Sequence, residues 1–473
     1  MLGFQFNCLR PIKIKLGDTW MLTALGYLLI VSFLILVIKQ KLSPFTGLIV
    51  VSLVVGVLTC LAIGVPIETL ITWVKNGLFY STDTEGKVSL GTINPTVMIL
   101  FAILYFSLMM NVGLFDPLCT FLIRKANGDP LKIILVTAFT SSVVTLDGDG
   151  TTTILIITSA FLPLYKQMGM KLSNLAMLII LPCGLGNCLP WGGPLARAAA
   201  VLNLEVNSLF VAILPILGVS FVYVFFMAYL MGRKERERLG YVPGKRAIVT
   251  PQQVEEMVTV IEENDKEFKR PKLFLFNLAL TIAMLVVLLA GWASGAIIFM
   301  LGTAIALAVN YSATEQRDRI TANGGDAIAV ASIIMAAGCF LGVFNGSGMA
   351  AAVAQSIAGM IPESMGSHTA LMFAFLGAIA CYALPVDAYY FGILPVVAPI
   401  AYQFGISPTE IGVASFMGQA LRYASPTVAW LFLLMNRTEM TFGQYQKEFF
   451  KWSLPMFGIF IVTAIVTGEL PVG

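Results

Sequence analysis

Apolar segments long enough to cross a membrane constrain the fold of this chain more than any other feature. A helix needs about 20 apolar residues to cross the hydrocarbon core, where only helices and closed barrels satisfy their own backbone groups. The chain is 58% hydrophobic and 12% charged, whereas soluble domains are about a quarter charged. The sequence therefore predicts an all-α polytopic membrane protein. Spans are predicted at 21–38, 44–63, 94–112, 173–204 (interrupted), 208–231, 273–290, 293–310, 326–345, 409–435 (interrupted) and 453–469.

Two further apolar segments are broken in the middle by an acidic tip. Segment 131–163 carries VTLDGDGTTT at 144–153, and segment 369–402 carries PVDAYYFG at 385–392. The apolar runs beside each tip are only about half a membrane long. We therefore expect two re-entrant hairpins. Their tips must face the protein interior, because non-helical backbone is not tolerated in contact with lipid.

The two halves of the chain carry these parts in the same order. Residues 21–231 and 273–473 each contain three spans, a hairpin, an interrupted span with an arginine, and a last span. Five full spans per half is an odd number, so the two repeats are predicted to insert in opposite orientations. Such an inverted repeat is the plan of secondary transporters, whose interrupted helices meet near the membrane midplane. Residues 1–20 are predicted as an N-terminal extension and 232–272 as a linker.

The distribution of lysine and arginine predicts the orientation in the membrane, since cytoplasmic loops are enriched in basic residues. If the linker 232–272 is cytoplasmic, the loops on that side hold 22 of the 29 basic residues, and both termini lie outside. A bacterial cytoplasmic membrane is the default location. No nucleic-acid partner and no cofactor are predicted.

The first tip carries groups suited to binding a cation beside an anion. Asp147 and Asp149 are predicted to bind the coupling ion, because close carboxylates in a low dielectric take up a proton, and hard oxygen ligands suit Na⁺, Mg²⁺ or Ca²⁺. The alternative is that they cap helices. Thr151 and Thr152 lie where the returning half-helix is expected to begin, and helix N-termini favour anions. Asp387 of the second tip is the third predicted coupling residue.

Each interrupted span carries an arginine, Arg197 in the first and Arg422 in the second. A guanidinium is always charged and binds a carboxylate through two parallel hydrogen bonds. Two such groups at a shared site predict an anionic substrate, a carboxylate above all. The alternative is internal pairing with the aspartates of the tips, and both hold if the pair opens for substrate. The other substrate-binding residues predicted in the breaks are Asn187, Gly192, Gly193, Gln419 and Ser425.

Tyr389 and Tyr390 follow the aspartate of the second tip. Their phenols are predicted to bond substrate oxygens, with the alternative that they are interfacial aromatics. No dedicated metal site is predicted, because His368 is the only histidine and the cysteines show no paired spacing, whereas structural metal sites combine several such ligands.

These motifs resemble those of the citrate–metal–proton symporter family (CitMHS) of the ion transporter superfamily. The resemblance runs from about Met21 to the C-terminus, and it is densest in FAILYF (101–106), GLFDP (113–117), GDPLKI (128–133), LDGDGTT (146–152), LPLYK (162–166), LPWGGP (189–194) and DAYYFG (387–392). It implies uptake of citrate as a complex with a divalent metal, driven by protons. It also implies a homodimer in which a transport domain moves like an elevator against a scaffold domain.

The second half departs from the family pattern in two places. Its tip reads PVD (385–387) where the family has Pro-Asn-Asp, and its break reads GQAL (418–421) before Arg422 where the family has Gly-Gln-Pro and then His. A His-to-Arg change replaces a titratable group with a fixed positive charge. Any unusual specificity is therefore expected to originate in the second half.

The leading hypothesis is a proton-coupled symporter of citrate or a related di- or tricarboxylate, carried alone or with Mg²⁺ or Ca²⁺. Alternatives within the superfamily are a Na⁺-coupled dicarboxylate transporter and an oxyanion exporter. An intramembrane aspartyl protease is the alternative from another class, because LDGDG (146–150) superficially resembles a Gly-x-Gly-Asp motif. The sequence contains no Tyr-Asp partner for it, so the chain is not expected to be an enzyme.

Overall fold

The computed structural model describes residues 19–82, 88–126, 128–147, 150–242, 266–359 and 368–472, together with positions 255, 258, 259, 263 and 366. Almost all of the predicted extension 1–20, much of the linker and the whole of Asp149 lie outside the described residues.

The first half folds into ten helices and one small β-ribbon within the described residues. Its helices are α1 (Thr19–Ile38), α2 (Pro44–Ile63), α3 (Glu68–Leu78), α4 (Ile93–Asn111), α5 (Asp116–Ala126), α6 (Pro130–Val144), α7 (Gly150–Gln167), α8 (Leu172–Gly186), α9 (Gly193–Leu202) and α10 (Val206–Arg238). Strands β1 (Tyr80–Thr82) and β2 (Val88–Leu90) pair antiparallel between α3 and α4. Ser43 and Asp129 cap α2 and α6, each followed by a proline, which suits the first helical position.

The second half is helical throughout its described residues. Its helices are α11 (Phe274–Leu289), α12 (Gly295–Asn310), α13 (Ala313–Gly346), α14 (Met349–Ala358), α15 (Thr369–Ala383), α16 (Leu394–Gln403), α17 (Pro408–Phe416), α18 (Ala429–Arg437) and α19 (Phe442–Val466). Ser312, Ser407 and Thr441 begin α13, α17 and α19 with capping boxes. In a capping box the N-cap side chain accepts from the backbone amide three residues later, and the side chain of that residue accepts from the N-cap amide. The predicted all-α fold is confirmed, apart from the ribbon.

Helices are present at each of the predicted spans, with shifted ends. Among the described residues, seven helices are long and apolar enough to cross a membrane. Helix α10 continues past the predicted end at 231, and α13 begins before the predicted start at 326. Charged residues extend both helices because they suit a solvated helix, so hydropathy alone misses these ends. Helices α3, α5 and α14 have 10 or 11 residues, too few to be predicted as spans.

Both predicted hairpins have two helical limbs. In the first, α6 and α7 are joined through a 3-10 turn at Thr145–Asp147. In the second, the chain leaves the helix only at Leu384 and Pro385, and a helical turn (Val386–Ala388) and a π-helical stretch (Tyr389–Ile393) run directly into α16. Proline lacks a backbone donor and suits the start of a helix. The second tip is therefore shorter than the predicted stretch, and most of its polar residues begin the returning limb.

Two large hydrophobic clusters form most of the described core, and a third cluster of four buried residues joins α4, α9 and α13. The smaller cluster is formed by α1, α2, α3, α13 and α14. The larger cluster contains both hairpins, both interrupted spans, α10 and α19. Ala388 belongs to the smaller cluster and Tyr389 to the larger one. The second tip, which includes Asp387, therefore lies where the two clusters meet.

The order of elements in α4–α10 repeats in α13–α19. Each series has a long helix, a short helix, a hairpin, an interrupted span and a last helix. The long helix of each series packs on a helix from the other half of the chain: α13 packs on α2, and α4 packs on α12. The opposite orientation of the two repeats in the membrane stays a prediction.

Candidate functional site

Glycines shape the break between α8 and α9. A Cβ on Gly192 would overlap the carbonyl oxygen of Asn187, and one on Gly193 would overlap the guanidinium of Arg197. A larger residue at position 192 requires a shift of the backbone of the break, and one at position 193 requires a shift of the Arg197 side chain. The Asn187 amide donates back to the carbonyl oxygen of Cys183 at 3.2 Å, and thereby covers the end of α8.

A buried ion pair joins this first break to the second hairpin. Arg197 Nε donates to Asp387 Oδ1 at 2.6 Å, and the two side chains are only 6% and 11% exposed. Arg197 lies near the start of α9, and Asp387 lies in the helical turn that opens the returning limb. A charge that is buried this far requires a partner. The alternative of internal pairing therefore holds for Arg197, and its partner is Asp387.

Arg422 lies in the second break, in a 3-10 turn between α17 and α18. Its Nη1 donates to the carbonyl oxygen of Cys381 at 2.8 Å and also to that of Leu384. These carbonyls end α15, where helical carbonyls lack donors and the helix dipole is negative. Arg422 thus positions the first limb of the second hairpin.

Tyr389 and Tyr390 are fully buried, so they are not interfacial aromatics. The Tyr389 hydroxyl donates to the carbonyl oxygen of Ser415 at 3.1 Å, and the Tyr390 hydroxyl accepts from Gln419 Nε2 at 2.9 Å. Ser415 lies at the end of α17, and Gln419 lies in the 3-10 turn that follows it. The two phenols and the Gln419 amide therefore hold the second hairpin against the second break.

Trp191 holds the first tip against the first break. Its indole Nε1 donates to the carbonyl oxygen of Leu146 at 2.8 Å. Its ring stacks on Phe106 with 4.2 Å between the ring centroids. The first hairpin also reaches the half-helix that follows the second break, because a Cβ on Gly150 would lie 2.6 Å from the ring of Trp430 in α18. The described parts of both tips and both breaks therefore lie close together.

The predicted residues of the first tip are described only in part. Asp147 ends the 3-10 turn, and its side chain lies outside the description, as does the whole of Asp149. Thr151 and Thr152 lie in the first turn of α7, where their anion-binding role stays a prediction. Among the described residues, no group of three or more His, Cys, Asp or Glu could hold a metal ion.

Ser425 does not cap the second half-helix as its position suggested, because the N-cap of α18 is Val428, which makes no side-chain cap bond. The Ser425 hydroxyl accepts from the backbone amide of Thr427 at 3.1 Å. The second half-helix, however, begins at Ala429 rather than at Pro426. The second break is therefore longer than the sequence indicated.

Sequence reasoning missed the groups that hold the tips. Trp191 directly precedes the Gly-Gly-Pro break, and a buried indole usually needs an acceptor, so a signal existed for this residue. The carbonyl oxygens of Leu146, Cys381 and Ser415 carry no such signal, because every residue has a carbonyl group.

Comparisons with known proteins agree with one another. Residues 33–418 match the family CitMHS, described as Citrate transporter. The chain is similar to a Bacillus subtilis (strain 168) protein named Citrate transporter, with 36% identity over 453 residues that cover 95% of this chain and 99% of that protein. It is also similar to a protein of the same organism named Mg(2+)/citrate complex secondary transporter, with 35% identity over 448 residues, 94% of this chain and 98% of that protein.

Two solved transporter structures share the fold. Neisseria gonorrhoeae MtrF aligns with a TM-score of 0.54 at 13% identity, over 88% of this chain and 94% of that chain. The Alcanivorax borkumensis YdaH transporter aligns with a TM-score of 0.50 at 14% identity, over 89% and 99%. At these identities the likeness concerns the fold alone.

Proposed function

Because the chain belongs to the citrate transporter family, we propose that it is a proton-coupled symporter of citrate or a related di- or tricarboxylate. The resemblance read from the motifs is confirmed. The family and its named relatives are transporters, not enzymes, and the chain is a multi-pass membrane protein. The proton, the choice of carboxylate and the form in which it is carried are what the proposal adds.

The Arg197–Asp387 pair is the observation that carries the proposal. It is a buried charge pair between the first break and the second hairpin. A carboxylate of the substrate competes naturally for Arg197, because a guanidinium binds any carboxylate with the same fork geometry. Substrate binding would exchange one carboxylate partner for another and release Asp387.

The release of Asp387 gives a physical reason for proton coupling. A buried carboxylate without a partner is costly, and taking up a proton removes its charge. Citrate on Arg197 and a proton on Asp387 would then favour each other, which is the reciprocal coupling that symport needs. Asp147 and Asp149 are proposed as the other coupling residues.

We propose that citrate is carried alone or as its complex with Mg²⁺ or Ca²⁺, the metal being part of the substrate. The name of one relative, Mg(2+)/citrate complex secondary transporter, supports the complex. The family resemblance also supports a homodimer that works by an elevator movement. The distribution of basic residues supports external termini and a cytoplasmic linker.

Uptake of labelled citrate into proteoliposomes tests the proposal. The measurement is made with and without an inward proton gradient, with Na⁺ replaced by choline, and with and without Mg²⁺ or Ca²⁺. Accumulation that needs the proton gradient and persists in choline is the expected result. Uptake that depends on Na⁺ would favour the alternative of a Na⁺-coupled dicarboxylate transporter. No accumulation of any carboxylate under any cation gradient would overturn the proposal.

A further inference from the structure

A row of hydroxyl groups runs along α6 toward the first tip. The row consists of Thr137, Thr140, Ser141 and Thr145, and each is at most 1% exposed. Spacings of three and four residues place them on one side of the helix. The row extends about 12 Å along the helix axis, at 1.5 Å per residue. We call these four residues the hydroxyl row.

Three hydroxyls of the row are buried without a hydrogen bond in the described part of the chain. The hydroxyls of Thr140, Ser141 and Thr145 have no hydrogen-bond partner among the described residues, whereas Thr137 donates to the carbonyl oxygen of Ile133 at 2.8 Å. Buried polar groups are nearly always hydrogen-bonded, either to protein or to ordered water. Three unpaired hydroxyls on adjacent turns therefore indicate that the row binds water molecules, which bridge such groups in protein interiors.

One end of the row leads to a buried acid. The Tyr165 hydroxyl donates to Thr137 Oγ1 at 3.2 Å. Arg238, the ion-pair partner of Glu235, donates to the carbonyl oxygen of Gly169, just beyond the helix that carries Tyr165. Glu235 is 2% exposed and accepts from Asn174 at 3.0 Å and from Arg238 at 2.6 Å. It lies in the last turns of α10, at the predicted cytoplasmic end.

The other end of the row lies at the first tip. Thr145 opens the 3-10 turn of the tip. A Cβ on Gly186, the last residue of α8, would lie 2.5 Å from the Thr145 side chain. The row therefore ends against the first break, and Tyr165 with Glu235 continues it toward the far end of the hairpin.

We propose that the hydroxyl row and its bound water form the path of the coupling proton between the first tip and Glu235. This inference rests on the proton coupling proposed above. A hydroxyl both donates and accepts, so at each step an oxygen accepts one proton and releases another. One O–H bond forms for each that breaks as the proton passes from Thr145 to the Glu235 carboxylate, or in reverse. The passage leaves the hydroxyls and waters pointing the opposite way, and they rotate back before the next proton.

Variants that remove a hydroxyl and keep its shape test the path. Ser141→Ala and Thr145→Val are combined, and Tyr165→Phe serves as an independent variant at the other end. Citrate uptake driven by a pH gradient requires net proton movement, whereas counterflow of labelled against unlabelled citrate does not. We expect gradient-driven uptake to fall about tenfold in both variants, with counterflow and melting temperature unchanged.

Thr158→Val is the matched control. Its hydroxyl is buried in the same hairpin but is bonded within its own helix, to the carbonyl oxygen of Ile154 at 2.7 Å. Both readouts should match those of the wild type.

Three outcomes contradict the inference. Unchanged gradient-driven uptake in both variants would overturn the path. An equal loss of uptake and counterflow would also overturn it, because the hydroxyls would then serve binding or packing. If the wild-type protein shows counterflow but its citrate uptake does not respond to the pH gradient, the proposed proton coupling itself is wrong. This measurement therefore distinguishes a failure of proton coupling from a failure of the proposed path.

Discussion

Arg197 and Asp387 each depend on the other, because both charges are buried. Removing one partner of a buried pair costs about 3–5 kcal/mol, whereas removing both is often neutral. We predict that Arg197→Ala and Asp387→Ala each destabilise the protein by about 3 kcal/mol. The double variant should recover most of this stability and none of the citrate uptake, because the substrate has lost its guanidinium. Thermal melting in detergent and uptake into proteoliposomes measure the two effects.

An exposed ion pair gives the control for this prediction. Arg124 and Glu255 are 48% and 59% exposed, and exposed pairs contribute only about 0–1 kcal/mol. Arg124→Ala should therefore leave both readouts near those of the wild type. Losses of stability that simply add in the Arg197/Asp387 double variant would contradict the dependence of each charge on the other.

For individual residues, the sequence predicted which charged side chains belong to the candidate site but not which partners they bind. An arginine in an apolar run needs an anion, and three aspartates of the tips qualified for Arg197. The choice of Asp387, 190 positions away, depends on tertiary distances that no local pattern contains. Arg422 was harder still, since its partners are backbone carbonyl oxygens, which have no sequence signature.

Among the helices, the break between α8 and α9 depends on glycine. A Cβ at position 192 would overlap the carbonyl oxygen of Asn187, so Gly192→Ala must shift the break that positions Arg197. We predict loss of citrate uptake and a lower melting temperature for Gly192→Ala. Gly218→Ala in α10 is the control, because a Cβ there meets nothing within 4 Å and alanine favours a helix. Equal uptake by the two variants would show that the break tolerates a shift.

The link between the first hairpin and α10 predicts a pH dependence of stability. Asp129 caps α6 and accepts from Arg236 Nε at 2.8 Å. Burial raises the pKa of Asp129, but the hydrogen bonds and positive charge of Arg236 outweigh burial, so the pKa is lowered. A lowered pKa stabilises the folded state above the unfolded pKa of about 3.9, and this contribution is lost as the pH falls through the folded pKa.

We therefore expect the melting temperature of the wild type to fall more steeply on acidification below about pH 4 than that of Asp129→Asn. Melting curves from pH 7 downward measure the difference between the two proteins. Asp318→Asn, at an exposed position in α13, should keep the wild-type slope. Parallel curves for the wild type and Asp129→Asn would contradict the contribution of this pair.

Hydrophobic periodicity and the glycine positions predicted the presence of the helices better than they predicted where the helices end. The limbs of both hairpins follow from apolar runs broken by a polar tip. The π-helical stretch Tyr389–Ile393 was not predicted, because it is stabilised by tertiary bonds of two tyrosines to the second break rather than by local preference. The solvated extensions of α10 and α13 were not predicted, because hydropathy marks only the apolar part of a helix.

In the whole molecule, the two hydrophobic clusters give the proposed elevator a physical basis. The smaller cluster contains no interrupted span, and the larger one contains both. If the larger cluster moves against the smaller one, the second tip lies on the sliding boundary, and the Arg197–Asp387 pair would travel with the substrate. The repeat order suggested two kinds of parts, but their separation into clusters depends on contacts between the halves.

The orientation in the membrane gives the last prediction. Because basic residues favour the cytoplasmic side, the C-terminus should lie outside and the end of α10 inside. The thiols of Cys60, Cys183, Cys188, Cys339 and Cys381 are buried, and Cys8→Ser and Cys119→Ser remove the other two. In that background, a membrane-impermeant maleimide should label Val472→Cys in intact cells and should label Glu237→Cys only after permeabilisation, since both positions are exposed.

Labelling of Glu237→Cys alone in intact cells would reverse the orientation. Labelling of both would place the two ends on the same side, which the odd number of spans per repeat does not allow.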